Sequence, residues 1–238
     1  MSADGKNPWN QYGVSDFGDN GGLLAVNPVY EEQLLGNIDI LLAGPKETAD
    51  SSCRVGSGYA GVVSRINLDG FEIAQKRAIR ATDMDGLVGI SATRALVSLS
   101  HGLNELCRQG TNAFTTDAPR EKKYIFLPPK PLLVFKPSRP EYEICTRTTM
   151  LSTYIDKPSL KDDQMPPPNE TEALMVRALR ASGLIDTSEI EPDIFYVDKF
   201  SGKVRLRPGN LLVSAEDSSS IALVPIDPIA MGPLNFDR

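Results

Sequence analysis

The chain has 238 residues, 41% of them hydrophobic and 24% charged, with a net charge of −6. That length buries a core, as one domain of two lobes or as two small domains. The negative balance argues against non-specific nucleic-acid binding as the main activity, and no apolar run approaches the roughly 20 residues of a membrane span. Cys53, Cys107 and Cys145 are odd in number and widely spread, and there is one histidine, a combination that suits neither a disulfide framework nor a zinc site. Met1–Pro8 lacks a basic segment followed by an apolar one. The expectation is a protein of the reducing cytoplasm, with neither nucleic acid nor membrane as partner.

Residues 1–24 are rich in Gly, Asn and Asp and read as an arm. A short helix is predicted over Tyr30–Ile40, where Leu34, Leu35 and Ile38 recur at helical spacing. A polar stretch, residues 44–52, leads into Gly56-Ser57-Gly58-Tyr59-Ala60-Gly61-Val62-Val63. Val62–Asn67, the turn Leu68-Asp69-Gly70 and Phe71–Ala74 then predict a hairpin feeding a further strand that carries Lys76. After a loop at Thr82–Gly89, Ala92, Ala95, Leu96, Leu99, Leu103 and Leu106 predict a helix from Ser91 to Gln109, stopped by Gly110. Residues 111–123 read as loop, and Tyr124–Phe135 and Tyr142–Met150 as strands, with Pro128, Pro129 and Pro131 weakening the first half. Ser152–Asn169 reads as a linker, and Asn169 with Glu172 as a capping box opening a helix that Gly183 closes. Two hairpins complete the chain: Ile194–Val197 with Val204–Leu206, and Leu211–Ser214 with Ile221–Ile226.

A G-x-G-x-x-G triplet alone serves two nucleotide-binding folds. A dinucleotide-binding fold needs a helix directly after the third glycine, whereas this chain continues as a β-hairpin and then Ala74-Gln75-Lys76. Glycines let the backbone approach a triphosphate and present N–H groups to it, and lysine adds a compact positive charge. This glycine hairpin with its A-x-K strand resembles the phosphate grip of the protein-kinase-like superfamily. The C-terminal run extends the resemblance. Arg207-Pro208-Gly209-Asn210-Leu211-Leu212-Val213, followed by Ala222-Leu223-Val224-Pro225-Ile226-Asp227, is similar to the catalytic-loop and metal-loop pair of compact bacterial and phage members and of aminoglycoside phosphotransferases.

The resemblance implies an α+β, two-lobed kinase-like fold with a truncated C-terminal lobe. Residues 1–49 would be the arm with its short helix and residues 50–155 the small lobe. Residues 156–238 would be a reduced second lobe. It also implies binding of ATP and Mg2+. Gly56, Ser57, Gly58, Gly61 and Lys76 would hold the nucleotide, while Asn210 and Asp227 would hold the metal through hard oxygens. One cleft is expected to bring Lys76, Asn210 and Asp227 together beneath the Gly56–Gly61 turn.

The pattern departs from the family five residues before Asn210. An aspartate is expected there, and the residue is Arg205. A cation cannot accept a substrate proton, so no catalytic residue is assigned and the expectation is a divergent phosphotransferase or a pseudokinase. The family's helix glutamate finds a counterpart only in Glu105, later than the pattern asks. The alternative is a non-catalytic module of the same fold that binds a protein partner without nucleotide.

Overall fold

The structure is a computed structural model that describes residues 10–11, 22–43, 54–57, 61–78, 83–116, 121–136, 149–153, 160–161, 164–183, 190–191, 195–197, 204–206, 210–226 and 229–230. It is mixed α+β. In chain order the elements are β1 (Asn10–Gln11), β2 (Gly22–Val26), α1 (Glu31–Leu35), α2 (Ile38–Ala43), β3 (Arg54–Ser57), β4 (Gly61–Leu68), β5 (Phe71–Ala78), α3 (Asp83–Arg108), β6 (Ala113–Thr116), β7 (Lys122–Phe126) and β8 (Pro131–Lys136). They continue with β9 (Thr149–Thr153), α4 (Pro168–Ser182), β10 (Ile190–Glu191), β11 (Phe195–Val197), β12 (Val204–Leu206), β13 (Leu211–Glu216), β14 (Ser220–Pro225) and β15 (Ile229–Ala230). Among the described residues, no helix is long and apolar enough to cross a membrane.

The chain divides into two compact units, residues 6–93 with 130–154, and residues 1–5 with 94–129 and 155–238. The first unit is built on a seven-stranded sheet in the order β1-β2-β8-β9-β5-β4-β3, every neighbouring pair antiparallel. Its central hairpin forms as the sequence predicts. Asp69 and Gly70 both take positive φ, 49° and 89°, the backbone that an Asp-Gly two-residue turn supplies. The Asn67 side chain accepts the Gly70 N–H at 2.8 Å. Alternation along β4 and β5 buries Ser64, Ile66, Leu68, Ile73 and Gln75, and Ile66, Leu68 and Ile73 pack there with Leu34 and Leu41 of α1 and α2.

The arm is therefore more than an arm. Gly22–Val26, whose first three residues fall in the stretch read as an arm, is a strand paired to β8, with Leu23 and Val26 buried. The strand is hard to read locally, because its pairing partner lies more than a hundred residues away. The predicted Tyr30–Ile40 helix is two short helices broken at Gly36 and Asn37.

The second unit packs α3, from Leu99 onwards, and α4 against the sheet β13-β14-β7-β6, in which β14 and β7 run parallel. Leu103, Phe126, Leu174, Ala178, Leu211, Ile221 and Leu223 are fully buried at its centre. Tyr124 joins this core while its phenol donates to the Met165 carbonyl at 3.4 Å, and burial pushes its pKa up.

Three further expectations change here. Helix α3 starts at Asp83 rather than Ser91, absorbing most of the loop expected at Thr82–Gly89. Residues 111–123 contain β6 and the start of β7. Tyr124–Phe135 is two strands of two sheets, since Pro128 and Pro129 have no N–H to continue a ladder.

Helix α4 also begins differently. Pro167 is its N-cap and Pro168 its first residue, so Asn169 with Glu172 makes no capping box. A proline at the first position needs no N–H partner and has its φ already set. Gly183 ends the helix at φ 64°, as predicted.

The two C-terminal hairpins match their prediction closely. Phe195 pairs with Leu206 and Val197 with Val204, while Leu211 pairs with Pro225 and Glu216 with Ile221. At the second hairpin's tip the Asp217 carboxylate accepts the Ser220 hydroxyl at 2.7 Å, the Ser219 N–H at 2.8 Å and the Ser220 N–H at 2.6 Å. These bonds, the Ser220 hydroxyl foremost, hold its pKa down to about 2. An unfolded aspartate titrates near 3.9, so the folded chain resists protonation there. The stabilisation is full above roughly pH 4 and fades as pH falls towards 2. Asp217→Asn is thus expected to be less stable than wild type at pH 6, with the gap closing between pH 4 and 2. Urea titrations at pH 6, 4 and 2.5 would check this, and a constant gap would contradict it.

Candidate functional site

The strand that ends in Gly56 and Ser57, the strand that starts at Gly61 and the lysine strand are neighbours in one sheet. Ser57 pairs with Val62 and Gly56 with Val63 across the β3–β4 turn, and Gly61 pairs with Ala78 across β4 and β5. Gly58 lies outside the described residues. Lys76 pairs with Val63 on one side and Met150 of β9 on the other, so its strand is interior to the sheet. It stands two residues, about 7 Å along the strand, from the Gly61–Ala78 pair.

The two faces of β5 differ. Ile73 and Gln75 are buried on the side covered by α1 and α2. Glu72, Ala74 and Lys76 are half-buried and, by alternation, share the other side. The Glu72 carboxylate is engaged there by Arg65 of β4. Helices α1 and α2 thus cover the face away from Lys76.

Asn210 and Asp227 belong to the second unit, which is described by itself. Asn210 directly precedes β13 and is half-buried. Its carbonyl accepts the Ile226 N–H at 2.8 Å, so the β13–β14 ladder closes residue 210 against residue 226. Asp227, next in sequence, lies outside the described residues. The separation between the two motifs is taken up by a regular hairpin with an irregularity between Val213 and Ala215 and a tip at Asp217–Ser219. Arg205 is a strand residue of β12, paired with Tyr196 of β11. Asp193 and Asp198, the nearest carboxylates before Arg205 in the sequence, lie outside the described residues.

No protein-family model matches this chain, and no characterised protein matches it. The functional reading therefore rests on the residues and their placement.

Glu105 has local partners: it accepts Arg108 at 2.7 Å and Gln109 at 2.8 Å on its own helix. Its carboxylate is thereby committed one turn away, and it lies in the unit that does not contain Lys76. His101 is exposed on α3. Cys107 is half-buried, its thiol pushed up by burial and directed at the Phe126 carbonyl at 3.9 Å, which suits packing better than nucleophilic chemistry.

Gln75 is the residue that sequence reasoning passes over. It is 1% exposed, and its Nε2 donates to the Leu41 carbonyl of α2 at 3.2 Å. The available signal is a polar side chain in phase with Ile73 on a strand whose inner face is apolar.

Proposed function

We propose that this chain is a compact kinase-like protein that binds Mg-ATP, a divergent phosphotransferase or pseudokinase without the usual catalytic aspartate. In this reading the fold is a two-lobed kinase-like one with a reduced second lobe. The β3–β4 glycine turn and Lys76 act on the phosphates, and Asn210 and Asp227 act on the metal. The observation that carries it is the antiparallel β3–β4–β5 pairing, which sets Lys76 two residues from the Gly61–Ala78 pair and, by alternation, on the face away from α1 and α2. The closure of Asn210 against Ile226 adds support, since it draws the ends of the two C-terminal motifs together.

The donor set suits the group. Magnesium takes hard oxygens, which an amide and a carboxylate offer, and it neutralises charge on the phosphates it bridges. Lysine contributes a point charge, and glycine N–H groups contribute fixed partial charges. Arg205 cannot take a proton from an acceptor hydroxyl. General-base help is worth about 10²–10⁴-fold, so transfer slower than an ordinary kinase's is the expected behaviour.

Calorimetry with Mg-ATP tests the assignment. Wild type is expected to bind, Lys76→Ala to lose binding, and Asp227→Ala to weaken it about ten- to hundredfold, the worth of one charge-assisted contact. Equal affinity in all three proteins would remove the site assignment. Absence of binding in wild type would favour the protein-binding module instead.

A further inference from the structure

The helices α1 and α2 look insufficient to stand by themselves. They have five and six residues, below the length at which an isolated helix is stable in water, and α1 has no side-chain cap. Their order comes from docking on β4 and β5. Leu34 and Leu41 are fully buried against Ile66, Leu68 and Ile73, and Tyr30 stacks on Phe71 with ring centres 5.7 Å apart. A buried polar contact joins them as well, the Gln75 amide on the Leu41 carbonyl.

That amide is only half satisfied. The Gln75 Oε1 is buried with no hydrogen-bond partner. A buried acceptor without a donor opposes the docked state, and water reaching it on undocking removes the penalty. Two helices too short to hold by themselves and an unmet acceptor at the contact describe a segment whose order depends on docking. Gln75 is also the residue before Lys76, with its side chain on the opposite face of the same strand.

We infer that Glu31–Ala43 is a detachable brace whose docking on Gln75 orders the lysine strand, so that occupancy of the Lys76 face and docking of the helices favour each other. The nucleotide part rests on the function proposed above. The helix-to-strand part does not.

Hydrogen exchange on the full chain tests both parts separately. Leu34→Ala and the milder Ile38→Ala, which trims a half-buried contact, lie outside the lysine strand. Each is expected to speed exchange of the α1–α2 amides and of Ile73–Arg77 together. Rapid exchange confined to the helices, or no acceleration in either variant, would overturn the brace; if Leu34→Ala fails to fold, Ile38→Ala decides. Adding Mg-ATP to wild type at a hundred times its dissociation constant should slow helix opening by up to about a hundredfold if the undocked form does not bind. Binding by calorimetry with unchanged helix exchange would also overturn the coupling. Absence of binding would instead count against the proposed function, leaving the brace to the comparison of variants.

Discussion

Gly102→Ala is expected to destabilise the second unit severely, although alanine is the better helix former. The Cβ it adds would lie 1.7 Å from the Ala178 carbonyl oxygen and 2.4 Å from its carbonyl carbon. Those are backbone atoms of α4, and Ala178 is fully buried. No rotamer relieves the contact, so α3 and α4 must move apart by more than an ångström, loosening Leu99, Leu103, Leu174 and Leu179 around them. Overpacking a core costs about 1–3 kcal/mol and occasionally more, and a clash between backbones belongs at the upper end. The gain from helix propensity is at most about 1 kcal/mol. The clash wins. Gly110→Ala is the informative control, because its added Cβ meets nothing and only the positive φ of 67° opposes it. Chemical denaturation followed by circular dichroism should show Gly102→Ala losing about 3 kcal/mol and Gly110→Ala roughly 1 kcal/mol. Equal losses would mean that the close crossing of α3 and α4 is not what Gly102 provides.

Phe126→Ala should cost a similar or larger amount, about 3–5 kcal/mol. Its side chain is fully buried in the second unit's core, with the Phe114 ring centre 5.9 Å away. Removing it leaves a cavity bounded by a helix pair that already touches backbone to backbone at Gly102, so collapse is restricted. Leu212→Ala, at a half-buried position of β13, gives the comparison and should cost well under half as much. The same denaturation measurement checks both, and a Phe126→Ala loss below that of Leu212→Ala would move the core's centre elsewhere.

These two residues also mark the limit of what could be read in advance. The stripe Leu96, Leu99, Leu103 and Leu106 announces α3 and its buried side, because every i, i+3 and i+4 relation is local. The same stripe says nothing about Gly102, whose role depends on a carbonyl 76 positions away in the chain. The hairpin at Asp69-Gly70 was equally legible, since turn chemistry and period-two alternation both operate within a few residues. The candidate site divides in the same way. Gly56, Gly61, Lys76 and Asn210 stand out by spacing, while the closure of Asn210 on Ile226 and the buried amide of Gln75 arise from contacts between distant segments.

By itself, then, the sequence determined the local elements: the β4–β5 hairpin, most of α3, the Gly183 stop of α4, and both C-terminal hairpins. Each follows from propensity, alternation and turn residues acting within a dozen positions. Only tertiary structure decided that Gly22–Val26 is a strand against β8, that β7 leaves its proline-linked neighbour to run parallel beside β14, and that α1 and α2 cover the face away from Lys76. Pairing between distant strands is selected by mutual burial and backbone hydrogen bonding, and neither segment carries the pairing in its own pattern.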